Sequence, residues 1–290
     1  MARYSSNSKR GTGETARIAA EKRQTKAVSD WLVTSGAGPD YRPWLKVQTV
    51  PSRGRAHRLW SRVCGRVLHL LSDLEADCAR VLDWGSDVLE IREQYPLLPI
   101  EATEQIADAI GVRHPTHPRS HHHVVMTTDF VIIRGSSMMR RQEAIAVKQF
   151  ADLATTRTLE KLEIERQYWA TRSTDWGITT QREIPRALVR NLEWIAPARD
   201  LMDFHISPHH AADVREDLFT HIVVSDAPLS ATCADIDGRL SLPAGTSLYL
   251  VRHALNTRTW RTDLTVEIRT NQPLLLTRDE RLLGFRQEVA

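Results

Sequence analysis

The feature that most constrains this chain is Val124–Ile133, which reads Val-Val-Met-Thr-Thr-Asp-Phe-Val-Ile-Ile. The run predicts a long strand interrupted by two threonines and closed by the turn residues Gly135-Ser-Ser. Ala144-Ile-Ala-Val-Lys148 predicts the next strand. Each strand carries one group at odds with its apolar setting, Asp129 in the first and Lys148 at the end of the second. Burying a charge without a partner is costly. If the strands are neighbours the two side chains reach one small site, and residue types alone leave open whether that site is an ion pair in a half-buried sheet or an active centre.

Elements of a mixed α/β core surround these strands. Ser72-Asp-Leu-Glu75 is a capping box, in which a serine hydroxyl and a glutamate carboxylate satisfy free amides, so a helix begins at about Asp73. Leu74, Cys78, Val81 and Leu82 give it one apolar face, and Gly85 ends it. A strand over Asp87–Arg92 and a short helix over Thr103–Ile110 follow. After the two apolar strands, Leu153, Leu159, Leu162 and Trp169 mark a charged amphipathic helix, and Trp176–Thr180 a further strand. Leaving aside the short helix, the order is helix, three strands, helix, strand.

A chain of 290 residues with 41% hydrophobic content is long enough for two domains. The larger domain, which carries this α/β core, is expected over 28–184. Beyond it, Pro185, Pro197, Pro208, Pro228 and Pro243 punctuate short helices of a smaller domain over 185–290. There, a helix near Ala244–Leu255, a strand over Trp260–Arg269, an Asn271-Gln-Pro turn and the apolar run Leu274–Leu276 outline a winged helix. Residues 1–27 read as a flexible basic arm.

Charge is polarised: residues 1–66 hold 14 Lys and Arg against 4 Asp and Glu, while the whole chain is only +3. Such a basic stretch gains affinity for nucleic acid by releasing counterions from phosphates. Arg53, Arg55, Arg58, Arg62 and Arg66 are the expected DNA contacts, with Trp31, Tyr41, Trp44 and Trp60 interleaved for stacking. Cys64, Cys78 and Cys233 have no paired spacing, which excludes a disulfide framework or a structural zinc site built on cysteine. With no long apolar run and no paired cysteines, the expectation is a soluble protein of a reducing cytoplasm.

An acid and a lysine on adjacent strands, preceded by a helical glutamate, make a cluster suited to Mg²⁺ and a scissile phosphate. Asp129 and Glu75 are the candidate carboxylate ligands, with the Val147 carbonyl as another. Lys148 would orient or deprotonate the attacking water, or offset developing charge. Glu75 also has a purely structural explanation, as the capping partner of Ser72. Glu160, Glu163 and Glu165 read mainly as a solvated helix face with Lys161 and Arg166. His114, His117, His121, His122 and His123, interrupted by Pro115 and Pro118, match no helical zinc pair and read as an exposed loop.

His69-Leu-Leu-Ser-Asp-Leu-Glu75, Ile91-Arg-Glu-Gln-Tyr-Pro-Leu-Leu98, Met126-Thr-Thr-Asp-Phe130, Ala144–Lys148 and Leu159–Trp169 together resemble the TnsA family, the endonuclease subunits of Tn-seven-type heteromeric transposases. The similarity covers roughly residues 50 to 275, and five ordered motifs are a specific signal. The resemblance implies a restriction-endonuclease-like, PD-(D/E)xK fold followed by a winged-helix-like, partner-binding part. It implies Glu75, Asp129 and Lys148 as catalytic residues and Mg²⁺, or Mn²⁺ in its place, as cofactor. It also implies cleavage of the 5′ strand at transposon ends beside a TnsB-like transposase and a TnsC-like AAA+ ATPase.

One departure stands out. The family pattern carries Gln or Glu two residues before the lysine, where this chain has Ala146. Glu163 or Glu165 from the following helix, or water, would then complete the metal set. Two rival readings follow: a nuclease-impaired subunit bridging DNA, transposase and ATPase, and a free-standing restriction or repair nuclease.

Overall fold

The computed structural model describes residues 8–49, 55–136, 139–201 and 207–278. The chain divides into two compact units, Met1–Ile184 and Pro185–Ala290.

The first unit is built on a four-stranded sheet in the order β3 (Val88–Pro96), β4 (Thr127–Gly135), β5 (Arg140–Val147) and β6 (Asp175–Thr179). β3, β4 and β5 are antiparallel neighbours, whereas β5 and β6 run parallel. A parallel pair needs a crossover, and α4 (Thr156–Ala170) supplies it. With α2 (Asp73–Trp84) ahead of β3, the order is the expected αβββαβ, the restriction-endonuclease-like core. α3 (Ile100–Ala109) lies between β3 and β4, and a hairpin of β1 (His57–Ser61) and β2 (Arg66–Leu70) precedes α2.

The strands form where apolar residues can be covered. Leu97, Met126, Val131 and Ala144 pack with Ile164, Tyr168 and Trp169 of α4 and Ala107 of α3. Trp169 is almost wholly buried and donates its indole N–H to Thr128 Oγ1 at 2.7 Å, so even its polar edge is satisfied. At the tip of the β4–β5 connection Gly135 has φ 129°, and an added Cβ would lie 1.9 Å from the Met139 carbonyl oxygen. Only glycine fits that turn.

The N-terminal stretch is a correction. Residues 1–7 of the expected arm lie outside the described residues, and from residue 8 a helix, α1 (Ser8–Thr34), stands in place of a flexible arm. Its sequence is rich in Ala, Glu, Lys, Arg and Gln, which are polar but among the better helix formers. Arg17 and Glu21 pair one turn apart at 2.9 Å. Ala20 is buried, Gln24 donates to the His123 carbonyl at 2.9 Å, and Trp31 donates to the Arg42 carbonyl at 2.7 Å. Trp31 and Tyr41 are therefore not displayed for base stacking. They form an aromatic cluster with Tyr95, which itself lies 5.8 Å from Trp169.

The second unit is helical: α5 (Arg186–Ile195), α6 (Pro208–Val224), α7 (Leu229–Arg239) and α8 (Thr246–Asn256). Leu250, Val251, Ala254 and Leu255 of α8 are buried with Ile195, Leu218 and Ile236 of the other three. Gly245, the N-cap of α8, has no side chain to cap with, and Asp237 of α7 accepts from the backbone N–H of Gly245 at 2.7 Å and of Ser247 at 2.8 Å instead. The expected strand over Trp260–Arg269 shrinks to β7 (Trp260–Arg261), paired with β8 (Thr277–Arg278). Asp263 bends the chain by accepting from Thr265, and Asn191 of α5 hydrogen-bonds Leu264, Val266 and Ile268. Those backbone groups are satisfied by the Asn191 side chain. Among the described residues no helix is long and apolar enough to cross a membrane.

Candidate active site

The two charges that stood out in the sequence meet. Asp129 Oδ2 accepts from the Lys148 ammonium at 2.6 Å and from the Val147 backbone N–H at 2.7 Å. Lys148 Nζ also donates to the Val147 carbonyl at 2.9 Å. The register explains the meeting: Phe130 pairs with Ile145, which sets Asp129 opposite Ala146, one residue short of Val147. Lys148 leaves the sheet at the end of β5, where its N–H still bonds the Thr179 carbonyl of β6. Asp129 keeps 14% of its side-chain surface and Lys148 31%, so the pair sits at a polar mouth rather than in the core.

Glu75 comes to the same place from the first turn of α2. Ser72 is the N-cap, accepting from the Glu75 N–H at 3.1 Å and donating to Glu75 Oε1 at 3.0 Å. Glu75 Oε2 accepts from the Leu71 N–H at 2.8 Å. A variant of the capping box thus forms, with the glutamate returning to the Leu71 N–H in place of the Ser72 N–H, and the same carboxylate is also aimed at the centre. Burial first, and then the charge of Asp129, push the Glu75 carboxyl up to about 7, against the pull of Leu71, Ser72 and Lys148.

A third carboxylate joins from α4. Glu165 is buried, accepts from the Trp176 indole N–H at 3.1 Å, and is pushed up to about 7 by burial and then by Asp129. Burial alone would lower the Lys148 ammonium, but Asp129, Glu165 and Glu75 outweigh it and hold it above its usual range. Three acids and one ammonium therefore share a single field. Glu163, the other candidate on this helix, points away. Arg166 and Gln167 bind it at 2.6 and 2.8 Å and hold it down to about 2, so it is removed from the candidate metal set.

Sequence reasoning missed Gln94. It lies in β3 between the pairs Glu93↔Phe130 and Tyr95↔Thr128, hence opposite Asp129. Its φ of 49° is one that side chains rarely adopt, a local strain of about 1–2 kcal/mol. That backbone turn accompanies a buried amide that donates to Glu75 Oε2 at 3.0 Å. A glutamine in the string Arg-Glu-Gln-Tyr carries no signal of its own. Only the register reveals which carboxylate it serves.

The expected DNA-contacting arginines separate into three groups. Arg53 lies outside the described residues. Arg55, Arg58 and Arg62 are exposed on or beside the β1–β2 hairpin, with Arg62 5.5 Å from the centre of the Trp84 ring. Arg66 is a correction: it is buried and holds Glu93 through two parallel hydrogen bonds of 2.8 and 2.7 Å, while donating also to Ile91 and Gly38. Its fork is committed to fixing β2 against β3.

With this geometry in view, known families can be compared. Residues 85–181 match the family described as TnsA-like endonuclease N terminal, and residues 183–264 that described as TnsA endonuclease C terminal. The chain belongs to the TnsA-like endonuclease family. The N-terminal TnsA match contains Asp129, Lys148 and Glu165 and begins after Glu75. The chain is 49% identical over 160 residues to the transposon Tn7 transposition protein TnsA of Escherichia coli, a match that takes in 55% of this chain and 57% of that relative.

Proposed function

We propose that this protein is the DNA endonuclease subunit of a Tn-seven-type transposition complex, hydrolysing the 5′ strand at transposon ends with a divalent metal ion. The observation that carries the reading is the convergence of Glu75, Asp129, Glu165 and Lys148 on one polar mouth of the sheet in a TnsA-like chain.

The donor set suits a hard cation. Carboxylates from three elements and the Val147 carbonyl are all oxygen ligands. A positive group already lies against two of them, since Lys148 Nζ contacts Asp129 Oδ2 and the Val147 oxygen together. Glu75, Asp129, Glu165 and the Val147 carbonyl would hold Mg²⁺, or Mn²⁺ in its place. Such an ion supplies a polarised phosphate and a more acidic water. Lys148, released from the Val147 oxygen, then faces the phosphate as a cation. As a cation tied to Asp129, Lys148 would offset the charge that develops on the phosphate oxygens. Glu165 supplies from α4 a carboxylate oxygen that the methyl of Ala146 cannot. Gln94 and Ser72 position Glu75, and Trp176 positions Glu165.

The partners follow from the family: transposon-end DNA, a TnsB-like transposase that joins the 3′ strand, and a TnsC-like ATPase docking on the C-terminal unit. The test reconstitutes the chain with those two proteins and an end-labelled transposon. Asp129→Ala should abolish 5′ cleavage while 3′ joining persists, giving cointegrates in place of simple insertions. Simple insertion at the wild-type rate would overturn the proposal.

A further inference from the structure

We propose that Glu104, His114 and His123 form a second metal site, suited to Zn²⁺, that clasps the histidine-rich loop to α3. The three residues offer ligand atoms that all lie within 4.8 Å of one another, and none belongs to the Asp129 centre.

The loop is folded to bring them together. Gly111, at φ 70°, turns the chain out of α3 towards His114. The segment then doubles back: the His117 N–H bonds the His122 carbonyl at 2.8 Å, the Val124 N–H bonds the Pro115 carbonyl at 3.1 Å, and Thr116 bridges His123 in antiparallel fashion. His114 and His123 end with ring centres 4.8 Å apart, and His123 Nδ1 lies 2.6 Å from Glu104 Oε1. Ordering a polar, proline-broken loop so tightly costs conformational entropy, which a metal bond offsets well.

His114 is set up as a ligand. It is buried, and its Nδ1 lies 3.1 Å from the Pro115 carbonyl, an acceptor that fixes the proton on that nitrogen. The lone pair is then on Nε2, where it receives the Thr103 hydroxyl at 2.9 Å. That hydroxyl has a second acceptor, the Ile100 carbonyl at 2.8 Å, to return to when the lone pair is taken.

Two imidazole nitrogens and one carboxylate select Zn²⁺ or a neighbouring transition metal over Mg²⁺. Ligands held tetrahedrally at about 2.0–2.1 Å from an ion stand roughly 3.3–3.4 Å apart, so the Glu104–His123 pair at 2.6 Å must open slightly while donors up to 4.8 Å apart draw in. Glu104 and His123 keep 32% and 45% of their side-chain surface, which leaves them room to adjust. Glu104 and His123 also line a cavity of about 250 Å³ with His121, His122 and Glu101, a route by which water would reach the ion. Gln24 of α1 lines the same cavity and donates to the His123 carbonyl, so the clasp also steadies the docking of α1.

The experiment uses the full chain, stripped by chelator dialysis and titrated with Zn²⁺ in excess Mg²⁺, with Co²⁺ as spectroscopic probe. One equivalent should bind, with visible tetrahedral Co²⁺ bands and slower tryptic cutting at Arg119 in the loop. His123→Ala and Glu104→Gln change partly exposed side chains, and each should weaken binding at least tenfold. Asp129→Asn should leave it unchanged. Binding of equal strength in all variants, or binding abolished by Asp129→Asn alone, would overturn the assignment without bearing on the nuclease proposal.

Discussion

Glu165→Gln should make the metal-free protein more stable while removing its cleavage activity. Glu165 is buried with a folded-state pKa of about 7 against an ordinary value of 4.5, and burial and Asp129 are the causes. Between those two pH values the unfolded chain releases a proton that the folded chain keeps. Stability contributed by this group is therefore lost as pH rises through the window, and the loss is complete above it. At about 1.4 kcal/mol per pH unit, the cost is roughly 3 kcal/mol at pH 8 and under about 1 kcal/mol at pH 5. Glutamine does not titrate, and its amide oxygen still accepts from Trp176. Urea unfolding followed by tryptophan fluorescence in EDTA should show a gain of about 2–3 kcal/mol at pH 8, shrinking to less than about 1 kcal/mol at pH 5. Saturating Mn²⁺ should then stabilise the wild type, by about 2.7 kcal/mol at a hundredfold excess over Kd, and stabilise the variant far less. Equal gains at both pH values, or a loss at pH 8, would refute the reasoning, because neither is compatible with a buried carboxylate ionising at cost.

Gln94→Ala removes the amide that holds Glu75 and should lower 5′ cleavage roughly 10- to 100-fold through kcat, with DNA affinity unchanged; an equal effect on KM would argue against a positioning role. Glu93→Ala leaves Arg66 buried without its partner and should destabilise the fold by about 3–5 kcal/mol in chemical denaturation, whereas exposed Arg58→Ala should cost less than about 0.5 kcal/mol. Arg58→Ala and Arg62→Ala together should weaken DNA binding in proportion across sequences and reduce the salt slope by about 1 for each phosphate that is no longer neutralised. A salt slope identical to wild type would remove this hairpin from the DNA interface.

What the sequence made legible was local. The capping box at Ser72, the apolar alternation of β4 and β5 and the glycine turns each depend on neighbours a few residues away, and α2, β3, β4, β5, α4 and β6 form close to where those signals place them. What it hid was pairing at a distance. Arg58 and Arg66 look alike in a basic stretch, yet one is exposed and the other is fixed by Glu93, a residue whose burial in β3 no spacing rule announces. Glu163 and Glu165 differ in the same way. They sit two residues apart on one helix, so about 200° of rotation sends one to Arg166 in solvent and the other to Trp176 inside. The α1 helix was hidden for another reason: charge density reads as disorder unless the helix propensity of the same residues is weighed against it.

The site itself shows how a largely shielded carboxylate cluster can survive at a mouth of the sheet. Each acid is held by donors that also belong to the scaffold: Glu75 by the first turn of α2, Asp129 by the backbone of β5, Glu165 by an indole on β6. These bonds lower the cost of ionisation but do not cancel it, and two of the three carboxyls remain near 7. The residual cost is the binding energy such a cluster offers a divalent ion, since the cation relieves repulsion that no side chain relieves fully. Lys148 does so only in part. One ammonium faces three carboxyls, and it is tied to Asp129 Oδ2 while Glu75 and Glu165 rely on uncharged donors. An arrangement evolved only for stability would exchange those two acids for amides, which the same donors would satisfy without charge. Their presence as acids is what the proposed cation site requires.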